Sequence, residues 1–328
     1  MARAHDLDTR LLTRAEVSNI IGHGQQPYAD WIGAIHTPSD GRAEPWQAVP
    51  AVASLAASEG VQIKEDCAVR LLQTQAGNVT GVITEHGTVR CAQVLVAAGA
   101  WSSLFLRRHG VSIPQLAVRQ TVVRTAELPE VLRGNGSDEK VAFRRREDAG
   151  YTLALGDFNE HFVGPDSFRH LTTYLPLLRS SIRTTPVRRL SPRGYPDSWS
   201  IPRQWAADEP SPFERNRVLN PPPNLHTVAR IGERFAARFP ALGNPTIVDA
   251  WAGMIDTMPD IVPVVDQIQA IPGLWVTTGM SGHGMGIGPG MAAVLTRLLT
   301  GGQPGYDLNR FRLSRFSDGS KLVPGPHI

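Results

Sequence analysis

Small and apolar residues recur at helical spacing from Gln47 to Glu59, with Val49, Val52, Ala53, Ala56 and Ala57 on one stripe and Gly60 ending the run. Short alternating segments follow at Val61–Cys67, Val69–Gln73, Val79–Thr84 and Thr88–Cys91. They predict a strand and a β-meander, with turns at Ala76-Gly77-Asn78 and His86-Gly87. The run Val94–Ala98 does not alternate, which predicts a strand buried on both faces, and a short helix is expected at Trp101–His109. Longer strands are predicted at Leu116–Thr125, Val141–Arg146 and Tyr151–Leu155, then a helix at about 168–182. Residues 186–223 hold nine prolines, which forbids long regular elements and marks an ordered loop or lid. Val228, Ile231, Phe235 and Phe239 form one face of a helix over Leu225–Phe239. Earlier, Thr13 with Glu16 three residues on reads as a capping box in a polar, weakly helical start.

Composition narrows the class. The chain has 328 residues, 41% of them hydrophobic and 19% charged, which allows one large or two medium domains and excludes disorder. Two cysteines, Cys67 and Cys91, exclude a disulfide framework or a Cys-rich metal module, and both are expected as buried thiols in strands. Of 33 basic residues all but Lys64, Lys140 and Lys321 are arginine, a compositional bias without an aromatic ladder, so nucleic acid is not an expected partner. No run has the roughly 18 apolar residues of a membrane helix, and MARAHDLDTR is unlike a targeting peptide; a cytoplasmic location is the expectation.

Three segments carry candidate chemistry. From Gly279 to Gly290 six glycines fall in twelve residues, after the predicted strand Leu274–Thr278 and before a helix from about Pro289 to Leu299. Glycine lets main chain approach a ligand, and a helix start offers free amides and a positive dipole end. A tight structural turn is the alternative. The segment VLVAAGAWSS, residues 94–103, ends a strand in small residues and opens a helix, which suits a cofactor as well as ordinary packing. The segment Asp249–Asp260 carries Asp256 and Asp260, which read most simply as solvated loop acids. His283 breaks the GxSxG pattern, there is no P-loop, and the ten histidines form no HExxH pair, so no metal is expected. No GxGxxG occurs.

Taken in order, AAGAWSS, WAGMIDTMPDIVPVVD and GLWVTTGMSGHGMGIGPGMAAVLTRLL resemble segments of the D-amino-acid oxidase superfamily, with HTPSDGRAEP and EHGTVRCAQVLVAAGAW also in place, over about residues 10–316. The resemblance implies an α/β (α+β) fold with an FAD-binding domain of the glutathione-reductase/D-amino-acid oxidase type. A substrate domain on a mixed or antiparallel sheet would accompany it. The partial FAD-binding domain is expected at 45–112 and 246–316, and the substrate domain with its connections at 1–44 and 113–245. The implied activity is oxidation of a C–N bond in an amino acid or secondary amine by hydride transfer to flavin N5. Gly279, Ser281, Gly282, His283 and Gly284 would face the flavin ring, with His283 the one candidate catalytic side chain. Ala97, Ala98, Gly99 and Trp101 would line the nucleotide, and Val69 would touch the adenine.

The family's covalent-flavin members use a cysteine near positions that here hold Ala252 and Gly253, so non-covalent FAD is expected. Met254 stands where related enzymes place a carboxylate-binding arginine, and Arg144 is the candidate substitute. The family's opening strand, GxGxxG and helix have no counterpart here. The alternative expectation is therefore a truncated, silent remnant, or a subunit whose flavin site a partner chain completes.

Overall fold

A computed structural model describes residues 6–21, 31–181 and 184–325. The first five residues of the polar start and the predicted helix end at 182 lie outside the described residues. In chain order the elements begin β1 (Arg10–Thr13), α1 (Arg14–Ile20), β2 (Gly33–His36), α2 (Pro45–Ser58), β3 (Val69–Gln75), β4 (Asn78–Thr84), β5 (Gly87–Arg90) and β6 (Val94–Val96). Next come α3 (Ser102–Arg108), β7 (Leu116–Thr125), β8 (Asn135–Ser137), β9 (Ala142–Arg145), β10 (Tyr151–Ala154), β11 (Glu160–Phe162), α4 (Pro165–Arg169), α5 (Leu171–Ser181) and β12 (Val187–Arg188). The last are α6 (Pro212–Arg215), α7 (Leu225–Arg238), β13 (Ile247–Thr257), β14 (Val264–Gln267), β15 (Leu274–Thr278) and α8 (Gly284–Leu299).

The chain divides into two compact units. The first comprises Met1–Ile63, Gln120–Phe158 and Pro221–Ala252; the second comprises Lys64–Arg119, Asn159–Asn220 and Gly253–Ile328. This division differs from the domain limits expected from sequence: α2 groups with the first unit, and residues 159–220 group with 64–119. The unit boundaries fall inside β7 and β13, which pair with each other.

In the first unit, β7, β10, β9 and β8 form an antiparallel sheet in that order. Amphipathic α7 supplies fully buried Ile231 and Phe235 to a core with Val123, Phe143, Tyr151 and Leu153. It starts cleanly because the Asn224 side chain accepts from the amides of His226 and Thr227. The capping box predicted at Thr13 and Glu16 is present at the start of α1. Helix α2 forms where its spacing predicts, yet it has no buried residue. Trp46, Val49, Val52 and Leu55 are all exposed.

In the second unit, β15 lies between antiparallel β14 and parallel β6. β3, β4 and β5 form the predicted meander. Their core joins Val82, Val96, Leu106, Ile113, Met258, Leu274 and Val276. β11 pairs antiparallel with the first residues of β7 and parallel with β12.

Several expectations are corrected. Residues 61–67 form no strand, because polar Gln62, Lys64, Glu65 and Asp66 leave no continuous apolar face. Cys67 and Cys91 lie outside strands and are half-buried free thiols. β6 is not buried on both faces: Leu95 is 37% exposed, and among the described residues β6 is the edge of its sheet. The last helix starts at Gly284, so most of the glycine run is helical and Pro289 sits inside it. The proline-rich segment carries only β12 and α6, as its proline density requires.

Candidate flavin site

The three sequence motifs meet at one hydrogen-bonded node in the second unit. Gln115, 4% exposed just before β7, holds Nε2 within hydrogen-bonding distance of the Gly99 carbonyl (3.1 Å), Asp256 Oδ2 (3.1 Å) and Thr278 Oγ1 (2.7 Å), three acceptors for its two protons. Its Oε1 accepts from the Ser103 amide at 2.9 Å. Thr278, buried at the end of β15, lies 3.2 Å from the Gly99 carbonyl and 3.1 Å from Asp256 Oδ2, so its single proton serves one of them. Asp256 Oδ2 also accepts from the Gly279 amide at 2.6 Å. Strand β6 with its turn, strand β13 and the β15–α8 turn are thereby fixed to one another by buried polar contacts. Such contacts are costly to leave unmade.

The β15–α8 turn is built from glycine where geometry demands it. Gly279 has φ +75°, and a methyl group there would overlap the Met258 side chain. Gly282 follows at φ +81°. Between them Ser281, fully buried, takes a left-handed φ of +50°, with its amide donating to the Asp256 carbonyl (3.1 Å) and its hydroxyl to the Gly279 carbonyl (3.2 Å). The His283 amide donates to the Met280 carbonyl. The amides of Gly279, Ser281 and His283 are thus held inside the turn rather than offered to a ligand.

The next donors lie at the helix start, where the Gly286 and Ile287 amides donate to the His283 carbonyl and those of Gly284 and Met285 precede them. α8 starts at Gly284 without a side-chain cap, and a helix start leaves its first amides without helical partners. Gly284 has room for only ordinary contact with Met280, while the missing Cβ positions of Gly286, Gly288 and Gly290 face open space. An uncapped, glycine-paved helix start of this kind fits the electron-rich edge of a flavin ring. The turn is not packed shut by its own side chains.

Other predicted residues take varied places. Gly99 has φ +53° and its carbonyl serves the node. Ala97 and Ala98 are exposed after β6, whereas the Trp101 ring is buried edge-on to Phe213 at 5.4 Å, leaving only its main chain for a nucleotide. Val69 opens β3 opposite Thr84. Met254, on β13, lines a small cavity with His161, Tyr195 and Asp197. Burial lowers the His161 pKa, against the opposing hydrogen bond to the Ala117 carbonyl. Arg144 lies in the first unit, where Glu44 pairs with it at 3.2 Å, Ala43 accepts its Nη1 and the Trp46 ring lies beneath it.

Two acids are corrected. Asp256 is not a solvated loop acid but the acceptor at the node. Asp260 is buried in a two-pronged pair with Arg315, at 2.8 and 3.1 Å. Sequence reasoning missed Gln115 and Thr278; Gln115 is a single polar residue before an apolar run, and Thr278 ends a strand beside Thr277. Among the described residues no group of His, Cys, Asp and Glu could hold a metal ion, and no helix is long and apolar enough to cross a membrane.

The profile of the FAD dependent oxidoreductase family, DAO, matches residues 1–298. The chain belongs to this family. It is 26% identical to 4-methylaminobutanoate oxidase (formaldehyde-forming) of Paenarthrobacter nicotinovorans, over 88% of this chain and 30% of that protein. It is 24% identical to glycine oxidase of Pseudomonas putida, over 78% of this chain and 54% of that protein. The solved structure of L-amino acid deaminase from Proteus vulgaris matches with 30% identity and a TM-score of 0.86, over 96% of this chain and 73% of that chain. The chain therefore spans between 30% and 54% of the length of these two curated relatives. The mixed α/β fold is that of DAO-family flavoenzymes.

Proposed function

We propose that this DAO-family chain serves an FAD-dependent oxidoreductase acting on the C–N bond of an amino acid or secondary amine, with the flavin held non-covalently. The observation that carries the reading is the node of Gln115, Asp256 and Thr278, which fixes Gly99 and Gly279 and leaves the start of α8 bare. The chemistry that flavin supplies when bound is acceptance at N5 of a hydride from the α-carbon, after which the imine product hydrolyses.

The chain's own part is positioning and electrostatics. The amides at the start of α8 favour negative charge at the adjoining ring edge. Gly282 and Gly284 keep side chains away from that approach, with His283 between them at the helix start. Ala97, Ala98, Gly99 and the Trp101 main chain would line the nucleotide, and Val69 would border the adenine. Residues 45–112 and 246–316 would make up the flavin-binding part, with 1–44 and 113–245 forming the substrate part. Met254 is an apolar substrate contact. Arg144 would reach a substrate carboxylate only by releasing Glu44, to which it is paired.

A second reading is favoured by β6, which among the described residues pairs on one side only. That edge would be covered by a further polypeptide segment bearing the strand–GxGxxG–helix unit, supplied by a partner subunit. One experiment separates the readings: flavin absorbance of the purified chain after incubation with FAD, alone and with that unit added as a separate polypeptide. Flavin retained by the chain alone supports the first reading, and retention only with the added unit supports the second. A colourless protein in both cases refutes the FAD site. Amine-dependent bleaching under anaerobic conditions then identifies the substrate class.

A further inference from the structure

We propose that the first unit carries an oxyanion-binding cleft built by Arg42 and Arg145, which takes a carboxylate or phosphate group of a small molecule. A cavity of about 450 Å³ is lined by Arg42, Arg133, Arg145, Arg146, Glu130 and Glu147. Two of its four arginines are already neutralised. Arg146 grips Asp148 through three contacts of 3.0–3.1 Å, and Arg133 pairs with Glu130 at 3.3 Å.

The other two are not. Arg145 gives Nη1 to the Leu128 carbonyl at 2.7 Å and rests 4.9 Å from the centre of the buried Tyr151 ring. Arg42 gives Nη1 to the main-chain carbonyl of Arg145. Among the described residues neither guanidinium has a carboxylate within the 4.0 Å of an ion pair. A guanidinium carries five N–H donors, so most of theirs remain available in this cavity. The Glu147 carboxylate is engaged by Gln47 Nε2 at 2.9 Å, and its amide is tied to Glu44. The crowding of cations extends to Arg144, whose pKa is lowered by burial foremost and then, against the opposing pull of Glu44, by Arg146 and Arg42.

Two fixed guanidinium groups lining one cavity are matched by a planar carboxylate or a tetrahedral phosphate, each of which accepts paired N–H bonds. The main-chain tethers hold both groups in place before any ligand arrives, which lowers the ordering cost of binding. This inference does not rest on the flavin reading.

Calorimetric titration of the full chain with inorganic phosphate, and separately with succinate, tests it. One saturable site is expected for at least one anion, weakened about tenfold or more in Arg42→Gln. The exposed Arg14→Gln substitution, on α1, should leave that affinity unchanged. Binding of phosphate alone assigns a phosphate-bearing ligand, and binding of succinate alone assigns a carboxylate. Arg145→Gln should lose binding too; because Arg145 packs on Tyr151, its fold is checked by circular dichroism, and exposed Arg42 decides the matter if that variant fails to fold. No saturable binding by the unaltered chain, or equal affinity in Arg42→Gln, overturns the proposal.

Discussion

The Asp256 carboxylate accepts a 2.6 Å hydrogen bond from the Gly279 amide. These residues come from separate sequence motifs, and their contact sets where the β15–α8 turn begins. The same oxygen receives Gln115 Nε2 and lies within hydrogen-bonding reach of the Thr278 hydroxyl.

Asp256→Ala leaves the Gly279 amide without its acceptor and removes one of the acceptors available to Gln115 Nε2 and the Thr278 hydroxyl. The expected loss of stability is on the order of 1–3 kcal/mol, measured by urea unfolding. Asp256→Asn retains one acceptor oxygen and should lose less. In a double-mutant cycle, Gln115→Ala and Asp256→Ala should show a coupling of about 1 kcal/mol or more. Additive effects would mean that the node does not act as a unit.

Gly279 and Gly284 separate structural glycine from ligand-facing glycine. Gly279→Ala demands a left-handed backbone of an L-residue and drives a methyl group into Met258, so the fold should lose at least about 1–3 kcal/mol. Gly284→Ala meets only ordinary contact with Met280 and needs no special φ. Its unfolding midpoint should stay at or slightly above that of the unaltered chain. Its flavin affinity should fall, because the methyl group stands at the proposed ring edge. Undiminished flavin uptake by Gly284→Ala would remove this residue from the site.

Tyr174 offers a test of how the second unit is pinned. Its buried hydroxyl lies 2.6 Å from the Thr257 carbonyl and 3.1 Å from that of Pro114, and it accepts from the Leu116 amide at 3.2 Å. Burial raises the phenol pKa far above its usual value, so the group stays a neutral donor. Tyr174→Phe should cost about 1–3 kcal/mol in thermal or urea unfolding, since the Leu116 amide loses its acceptor. A change within experimental scatter would show that water replaces the hydroxyl.

Much of this arrangement is legible from local pattern. The stripe through Ile231 and Phe235 predicts α7, and the local pattern predicts strands at β7, β9 and β10. Where tertiary contacts decide, local reading fails. The glycine run reads as a loop because glycine is a poor helix former, yet from Gly284 onward it is helix. Asp256 and Asp260 read as solvent-facing because acids usually are; their amide and arginine partners lie 23 and 55 residues away in the chain. Gln115 has no local signature at all, since its role depends on Gly99, Asp256 and Thr278 being brought together. The apolar stripe of α2 is correctly read as a helix face, but sequence periodicity cannot reveal that the described residues leave it uncovered.

Acid sensitivity in the second unit should show two opposing contributions. Burial foremost, with Arg108 adding to it, pulls the His109 imidazole down to about 4, and its Nε2 accepts from the Leu72 amide at 3.2 Å. An unfolded histidine titrates near 6.5. Between about pH 4 and 6.5 the unfolded chain therefore binds more protons at this position, and the contribution to stability rises with pH. Asp197 behaves in the opposite sense. Burial and the neighbouring Asp166 carboxylate raise it to about 6, while the Asp166 amide and Arg203 oppose that shift. Between about pH 4 and 6 the folded chain binds more protons there, so this contribution falls as pH rises. His109→Gln keeps an acceptor for Leu72 and removes the titration, so unfolding midpoints at pH 4.5 and 7 should move closer together than in the unaltered chain. Asp197→Asn removes the acid-side gain and should move them further apart. Unfolding curves in which both variants keep the original pH slope would show that neither buried group governs the response to acid.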